Sequence, residues 1–289
     1  MASTPVSPLI STDELHARLE AGERIRLLDV RYRLEQPDGR PDHRAGHLPG
    51  AVYVDMDTEL ATHGDPSQGR HPLPSRAALQ DAARRWGLHT GDTVVVYDDY
   101  RSVSAARAWW LLTHSGVDGV RVLDGGLSAW AAAAFPLETG DVVPEPGSIA
   151  RDELSRGIVT IAEAEAWPAR GILLDARAPE RYRGDTEPYD PVAGHIPGAI
   201  NLPASAYLEG ASFAQPEEIN RALAGAGVTE RSPVAAYCGS GLTAAHLALA
   251  GAVAGIDVAV FPGSWSQWSN TPGRPIATGP TPTGELSSV

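Results

Sequence analysis

The chain has 289 residues, enough for two domains, with the 43% hydrophobic and 20% charged content of an ordinary globular protein. Its formal charge of −13 argues against a nucleic-acid groove or an anionic membrane surface as partner, though a few local arginines could still hold a small anion. A single cysteine excludes an internal disulfide, and the N-terminal M-A-S-T-P-V-S-P-L-I shows no basic or apolar leader, so a cytoplasmic protein is expected.

In chain order the elements come twice. S-T-D-E at 11–14 has the capping-box pattern and opens a helix. A short apolar strand over 25–29 ends in Asp29, and a long loop leads through the A-G-H-L-P-G-A-V turn (45–52) to a second short strand. Another helix precedes a buried strand at 93–97, a helix follows over about 102–115, and V-L-D-G-G-L-S-A-W (122–130) supplies a last strand and helix. Then the series restarts. T-I-A-E at 160–163 repeats the capping box, L-L-D-A-R (173–177) repeats L-L-D-V-R (27–31), and A-G-H-I-P-G-A-I (193–200) repeats the turn. V-A-A-Y-C (234–238) lines up with V-V-V-Y-D (94–98), a helix is expected over 242–253, and V-F-P-G-S-W-S-Q-W (260–268) closes the half.

Blocks recurring in the same order mean a duplicated domain. Strands alternating with helices imply an α/β fold, each half a parallel sheet with helices on both faces. The expected division is an N-terminal domain over 8–137, a Pro- and Gly-rich linker over 138–158, a C-terminal domain over 159–278 and a tail over 279–289. The linker's later part is free to wrap one domain, and mobility is expected after Pro275.

Ligands of open parallel sheets bind beyond the carboxyl ends of the strands. Cys238 stands at such an end, and Asp98 is its counterpart in the first half. In C-G-S-G-L-T (238–243), Gly239 and Gly241 allow positive φ, so that consecutive amides can point inward. The helix beginning near Leu242 adds the free amides and positive dipole end of its first turn, where Leu242 and Thr243 sit. Such a cradle favours a thiolate and would equally hold the anionic terminal sulfur of a persulfide.

These residues resemble the tandem-domain rhodanese family of sulfurtransferases, over about residues 8–278. The Cys loop is similar to that of 3-mercaptopyruvate sulfurtransferases, C-G-[ST]-G-V-T, and the G-H-I-P-G-A and D-G-G-x-x-x-W blocks also match the family. The resemblance implies two tandem rhodanese-like domains, the first inactive because Asp98 replaces the cysteine. It implies a ping-pong reaction in which Cys238 takes a sulfane sulfur from a small anionic donor and passes it to cyanide, a small thiol or thioredoxin. It also implies that Ser240 polarises the substrate, joined by His71 in G-R-H-P-L-P and Asp57 in V-D-M-D. Chemically, an Asp orients a His, which accepts the serine proton. Arg181 in P-E-R-Y-R-G-D matches the family arginine that grips the substrate anion.

The chain departs from the family at T-E-P-Y-D-P (186–191), which lacks the expected second arginine. Arg31 and Arg107 are candidates for the missing charge, and Arg107 is also a candidate for the domain interface. Arg183 reads as solvent-facing or structural. Residues present in both halves (His47 and His195, Asp29 and Asp175, Arg31 and Arg177, Trp130 and Trp268) read as structural. The nine histidines show no zinc-like spacing and no phosphate-loop motif is present, so neither metal nor cofactor is expected. A cysteine phosphatase would need an arginine near position 244, where Thr243, Ala244 and Ala245 stand. Between donors, a neutral loop favours 3-mercaptopyruvate, and dianionic thiosulfate would prefer basic loop residues. A non-catalytic rhodanese-type binding module is the remaining alternative.

Overall fold

The computed structural model describes residues 7–154 and 156–289, so most of the N-terminal stretch read for a leader, and Ser155 of the linker, lie outside it. The chain forms two compact units. The first contains a five-stranded parallel sheet in the spatial order Leu9–Ile10, Val120–Leu123, Thr93–Tyr97, Ile25–Asp29, Val52–Tyr53. The second contains a four-stranded parallel sheet in the order Val258–Val260, Val234–Tyr237, Ile172–Asp175, Ile200–Asn201. Val94–Tyr97 and Val234–Tyr237 are buried at every successive position, which requires cover on both faces of each sheet.

The repeat extends into the packing. Leu27, Leu48, Val95, Tyr97 and Trp130 of the first core correspond to Leu173, Ile196, Ala235, Tyr237 and Trp268 of the second. The Leu48 amide donates to the Tyr97 hydroxyl (3.0 Å) and the Ile196 amide to the Tyr237 hydroxyl (3.1 Å). The Trp130 indole N–H reaches the Pro136 carbonyl (2.8 Å) and that of Trp268 the Pro275 carbonyl (2.9 Å). Each buried ring therefore keeps its one polar group satisfied.

The compact units depart from the sequence halves at two short segments. Residues 62–73 pack with the second unit and 210–213 with the first. The 62–73 loop is closed by the Thr62 amide on the Pro72 carbonyl (3.0 Å), and its turn Pro66–Gln68 lies against the helix Ser264–Ser269. At Gly69 (φ +88°) a Cβ would come within 2.8 Å of the Gly263 carbonyl oxygen, so the loop needs glycine for this approach. The expected linker follows the first unit: the Glu138 amide bonds the His47 carbonyl (2.9 Å), Gly147 the Arg84 carbonyl (2.7 Å) and Ile149 the Leu88 carbonyl (3.1 Å).

Two local expectations change. The tail is not loose after Pro275, because Pro275–Thr278 pairs antiparallel with Glu285–Ser288. The two capping boxes are also unequal. Thr160 and Glu163 exchange both bonds, whereas Ser11 caps the Glu14 amide and the Glu14 carboxylate turns to Arg121. Among the described residues no helix is long and apolar enough to cross a membrane.

Candidate active site

Cys238 ends the Val234–Tyr237 strand, is 3% exposed, and sits one short loop before the helix Leu242–Val253. Gly241 caps that helix at φ +89°, and its amide donates to the Cys238 Sγ at 3.1 Å. The helix N-terminus therefore begins at the sulfur, where its unpaired amides favour negative charge. Gly239 differs from expectation. It has no positive φ, and its value is room: a Cβ there would stand 3.3 Å from the Arg181 Nη1. Arg181 thus lies against the backbone of the cysteine loop.

Ser240, 9% exposed, meets His71, 4% exposed, across 2.8 Å from Oγ to Nδ1. His71 arrives on the 62–73 loop, which belongs to the second unit although its sequence lies in the first half. Leu242 and Thr243 form the first turn of the helix. Asp57 belongs to the first unit, in the short helix Met56–Glu59, where its amide caps on the Asp55 carboxylate (3.1 Å).

The arginine environment is a chain of alternating charges. Arg177 reaches Asp175 (2.7 Å) and Glu187 (3.2 Å), and Arg181 reaches Glu187 (2.6 Å) and Asp190 (3.5 Å). Arg70 ends the chain on Asp190 at 2.6 Å. The Arg70 and Arg181 guanidinium carbons stand over the Tyr189 ring at 5.6 and 5.2 Å from its centroid. Burial pushes the Asp190 carboxyl above the usual range, opposed by the Arg70 charge and reinforced by Glu187. Arg70, Tyr189, Asp190 and Ser266 line a cavity of about 310 Å³, and the Ser266 amide donates to the Gly239 carbonyl (2.8 Å).

The other candidate arginines have partners close by in their own units. Arg31 is buried on Asp29 (2.9 Å) and the Gly46 carbonyl (2.6 Å), and Arg107 is buried on the Leu60 carbonyl (3.3 Å). Arg183 pairs with Asp185 at the surface (2.6 Å). His47 and His195 bond backbone carbonyls at 2.8 Å each.

Sequence reading missed three side chains at the site. Arg70, next to His71 in G-R-H-P-L-P, carries no motif signal of its own. Tyr207 is fully buried, its hydroxyl 3.2 Å from the His246 Nδ1, and its ionisation is suppressed by burial and then by the nearby Cys238 charge. Ser264 accepts the Cys238 amide (3.1 Å), donates to the Phe261 carbonyl (2.9 Å), and holds its Oγ 4.0 Å from the sulfur. It does so at φ +54°, a conformation that costs a non-glycine residue about 1–2 kcal/mol. A signal was present: aligning V-F-P-G-S with V-L-D-G-G sets Ser264 on a glycine, Gly126. Among the described residues, no group of three or more His, Cys, Asp or Glu is arranged to hold a metal ion.

Comparison with known proteins bears on this geometry. The sequence profile described as "Rhodanese-like domain" matches residues 11–133 and 160–271. SseB of Mycobacterium tuberculosis, whose name carries a provisional thiosulfate sulfurtransferase assignment, is 47% identical over 94% of this chain and 97% of its own. The human 3-mercaptopyruvate sulfurtransferase is 34% identical over 86% of each chain. Among solved structures, SseA from Escherichia coli, described as having the rhodanese fold, matches with a TM-score of 0.80 and 28% identity over 90% of this chain and 99% of its own.

Proposed function

The chain belongs to the rhodanese-like domain family, and from that premise we propose that it is a sulfurtransferase carrying sulfur on Cys238, with 3-mercaptopyruvate as donor. One observation carries the donor reading: a neutral cysteine loop whose Ser240 hydroxyl is hydrogen-bonded to His71 at 2.8 Å, with the Arg181 guanidinium against Gly239. A keto acid offers a carbonyl for the hydroxyl and a carboxylate for the guanidinium.

In the first half-reaction the Cys238 thiolate attacks the donor sulfur. The carbon–sulfur bond breaks and its electron pair leaves as the enolate of pyruvate. The enolate carbon takes the proton that the donor thiol carried, leaving pyruvate and an anionic persulfide. In the second half-reaction an acceptor such as cyanide attacks the outer sulfur, forming thiocyanate and returning the thiolate. A small thiol or thioredoxin would serve the same step. Ser240 polarises the donor carbonyl as negative charge grows on its oxygen, and His71 fixes the hydroxyl. The helix N-terminus and the Gly241 amide stabilise both thiolate and persulfide. We also place the protein in the cytoplasm, where a reducing pool keeps a lone thiol from intermolecular disulfides.

The thiosulfate assignment of the M. tuberculosis relative favours a second reading, in which thiosulfate is the main donor. Intact-mass measurement with each donor and no acceptor separates them. The protein is expected to gain one sulfur atom from 3-mercaptopyruvate at lower concentration than from thiosulfate. Cyanide should remove it, and Cys238→Ser should never acquire it. Sulfur loading by neither donor would reject the sulfurtransferase reading for both.

A further inference from the structure

The cysteine loop has Arg181 beside it, yet the 186–191 loop brings no second guanidinium to a donor carboxylate. Another cation stands close to Arg181 on a different segment. The 62–73 segment that delivers His71 to Ser240 also delivers the preceding residue, Arg70, to Asp190. Arg70 and Arg181 share that carboxylate and the Tyr189 ring, so the two guanidinium groups lie side by side. Arg177 and Arg181 are each held between two carboxylates, with 1% and 16% of the side chain exposed. Arg70 stands at the open end of the chain with 24% exposed, on the wall of the 310 Å³ cavity.

Charge balance is the second half of the argument. Arg70, Arg177 and Arg181 face Asp175, Glu187 and Asp190, three charges against three. A balanced cluster tolerates one added negative charge better than two. Removing one carboxylate would shift that balance toward a dianion.

Resting on the donor reading above, we propose that Arg70 supplies the second arm of the donor-carboxylate clamp beside Arg181, and that Asp190, shared by both arms, sets the preference for a monoanionic carboxylate donor over dianionic thiosulfate. Asp190 spaces the two guanidinium groups while the donor carboxylate takes their outward N–H groups.

The test measures persulfide loading and steady-state turnover with cyanide for the full chain and three variants. Arg70→Ala should raise KM for 3-mercaptopyruvate about tenfold, with kcat changing much less, as expected for loss of one charge-assisted contact. Arg70→Lys keeps the charge, loses the fork, and should raise KM about threefold. Asp190→Asn should increase the ratio of thiosulfate to 3-mercaptopyruvate kcat/KM about fivefold or more. If Arg70→Ala fails to fold, the lysine and asparagine variants carry the test. Wild-type protein that loads sulfur from 3-mercaptopyruvate, alongside variants with unchanged KM and unchanged donor ratio, would overturn this inference and leave the donor reading standing. Wild-type protein that takes no sulfur from 3-mercaptopyruvate would overturn both.

Discussion

The loops 98–103 and 238–243 follow equivalent strands in the two units and use the same amides differently. In the first, the Asp98 carboxylate accepts four backbone N–H bonds, from Tyr100 and Ser102 (2.8 Å each), Ser104 (2.9 Å) and Ala105 (3.0 Å). The loop closes on its own anion, and Arg101 and Ser102 take φ of +55° and +63° to wrap it. In the second, no carboxylate intervenes. Gly241 takes the positive φ alone, and its amide turns to the Cys238 sulfur. A rhodanese-type cradle is thus an anion site by backbone geometry, filled internally in one unit and by chemistry in the other.

The largest effect that would break this comparison lies at Asp98. Asp98→Ala strands four backbone amides, three of them buried, and a loss of about 3–5 kcal/mol in the stability of the first unit is expected in denaturant unfolding. The pH dependence sharpens it. Burial pushes the Asp98 carboxyl up to about 6, against the pull of its amide bonds. A folded value above the unfolded one means the folded state binds the extra proton. The contribution is therefore fully present below about 4 and is lost as pH rises through about 6. On this account the wild type loses on the order of 2–3 kcal/mol across that window, and Asp98→Ala lacks the slope. A flat wild-type profile between pH 4 and 6 would show that the four amides outweigh burial.

A smaller effect is expected at the next contact in the same pair of loops. Gly126 stands beside Asp98 at φ +55°, so close that a Cβ would collide with the Asp98 carbonyl oxygen. Ser264, its counterpart, keeps the left-handed conformation at φ +54° and gains a hydroxyl that accepts the Cys238 amide. Ser264→Ala and Ser264→Gly both strand that amide, and both should slow persulfide loading severalfold. Only the glycine variant relieves the backbone. It should therefore be more stable than the alanine variant by about 1 kcal/mol. An alanine variant as stable as the glycine one would remove strain from the account.

Much of the architecture was legible in the sequence because each half writes the same pattern. Strands ending in Asp29 and Asp175, turns at His47 and His195, and tryptophans at 130 and 268 fix the layout, and the structure gives each of these residues a local bond within its unit. Cys238 drew attention because its signal, a thiol at a strand end before a glycine and a helix, is local, and the structure keeps that placement. What sequence reading missed is non-local. The 62–73 segment has no periodicity to reveal that it packs in the second unit, because its anchor is the backbone of Gly263. Arg70 and Asp190 pair across 120 positions. The loose tail was expected from T-G-P-T-P-T-G, but antiparallel pairing of 285–288 with 275–278 outweighs turn composition.

The smallest difference between the halves is at their first helices, and it shows how a repeated motif can be put to different use. Glu163 returns a 2.8 Å bond to the Thr160 amide at the exposed start of its helix. Losing it in Glu163→Ala should cost only about 0.5 kcal/mol, the low end for a capping contact. Glu14 instead grips Arg121, which also donates to the Leu9 carbonyl at 3.0 Å and thereby ties the helix to the edge strand Leu9–Ile10. Its hydrogen bond with Arg121 holds the Glu14 carboxyl below the ordinary range, although burial opposes this. That contribution is present at neutral pH and is lost as pH falls below the ordinary glutamate range. Glu14→Ala should therefore cost about 1 kcal/mol at pH 7, roughly twice the loss at Glu163, with the two converging in acid. Equal losses at pH 7 would mean that both glutamates act as simple caps and that the Arg121 link adds nothing.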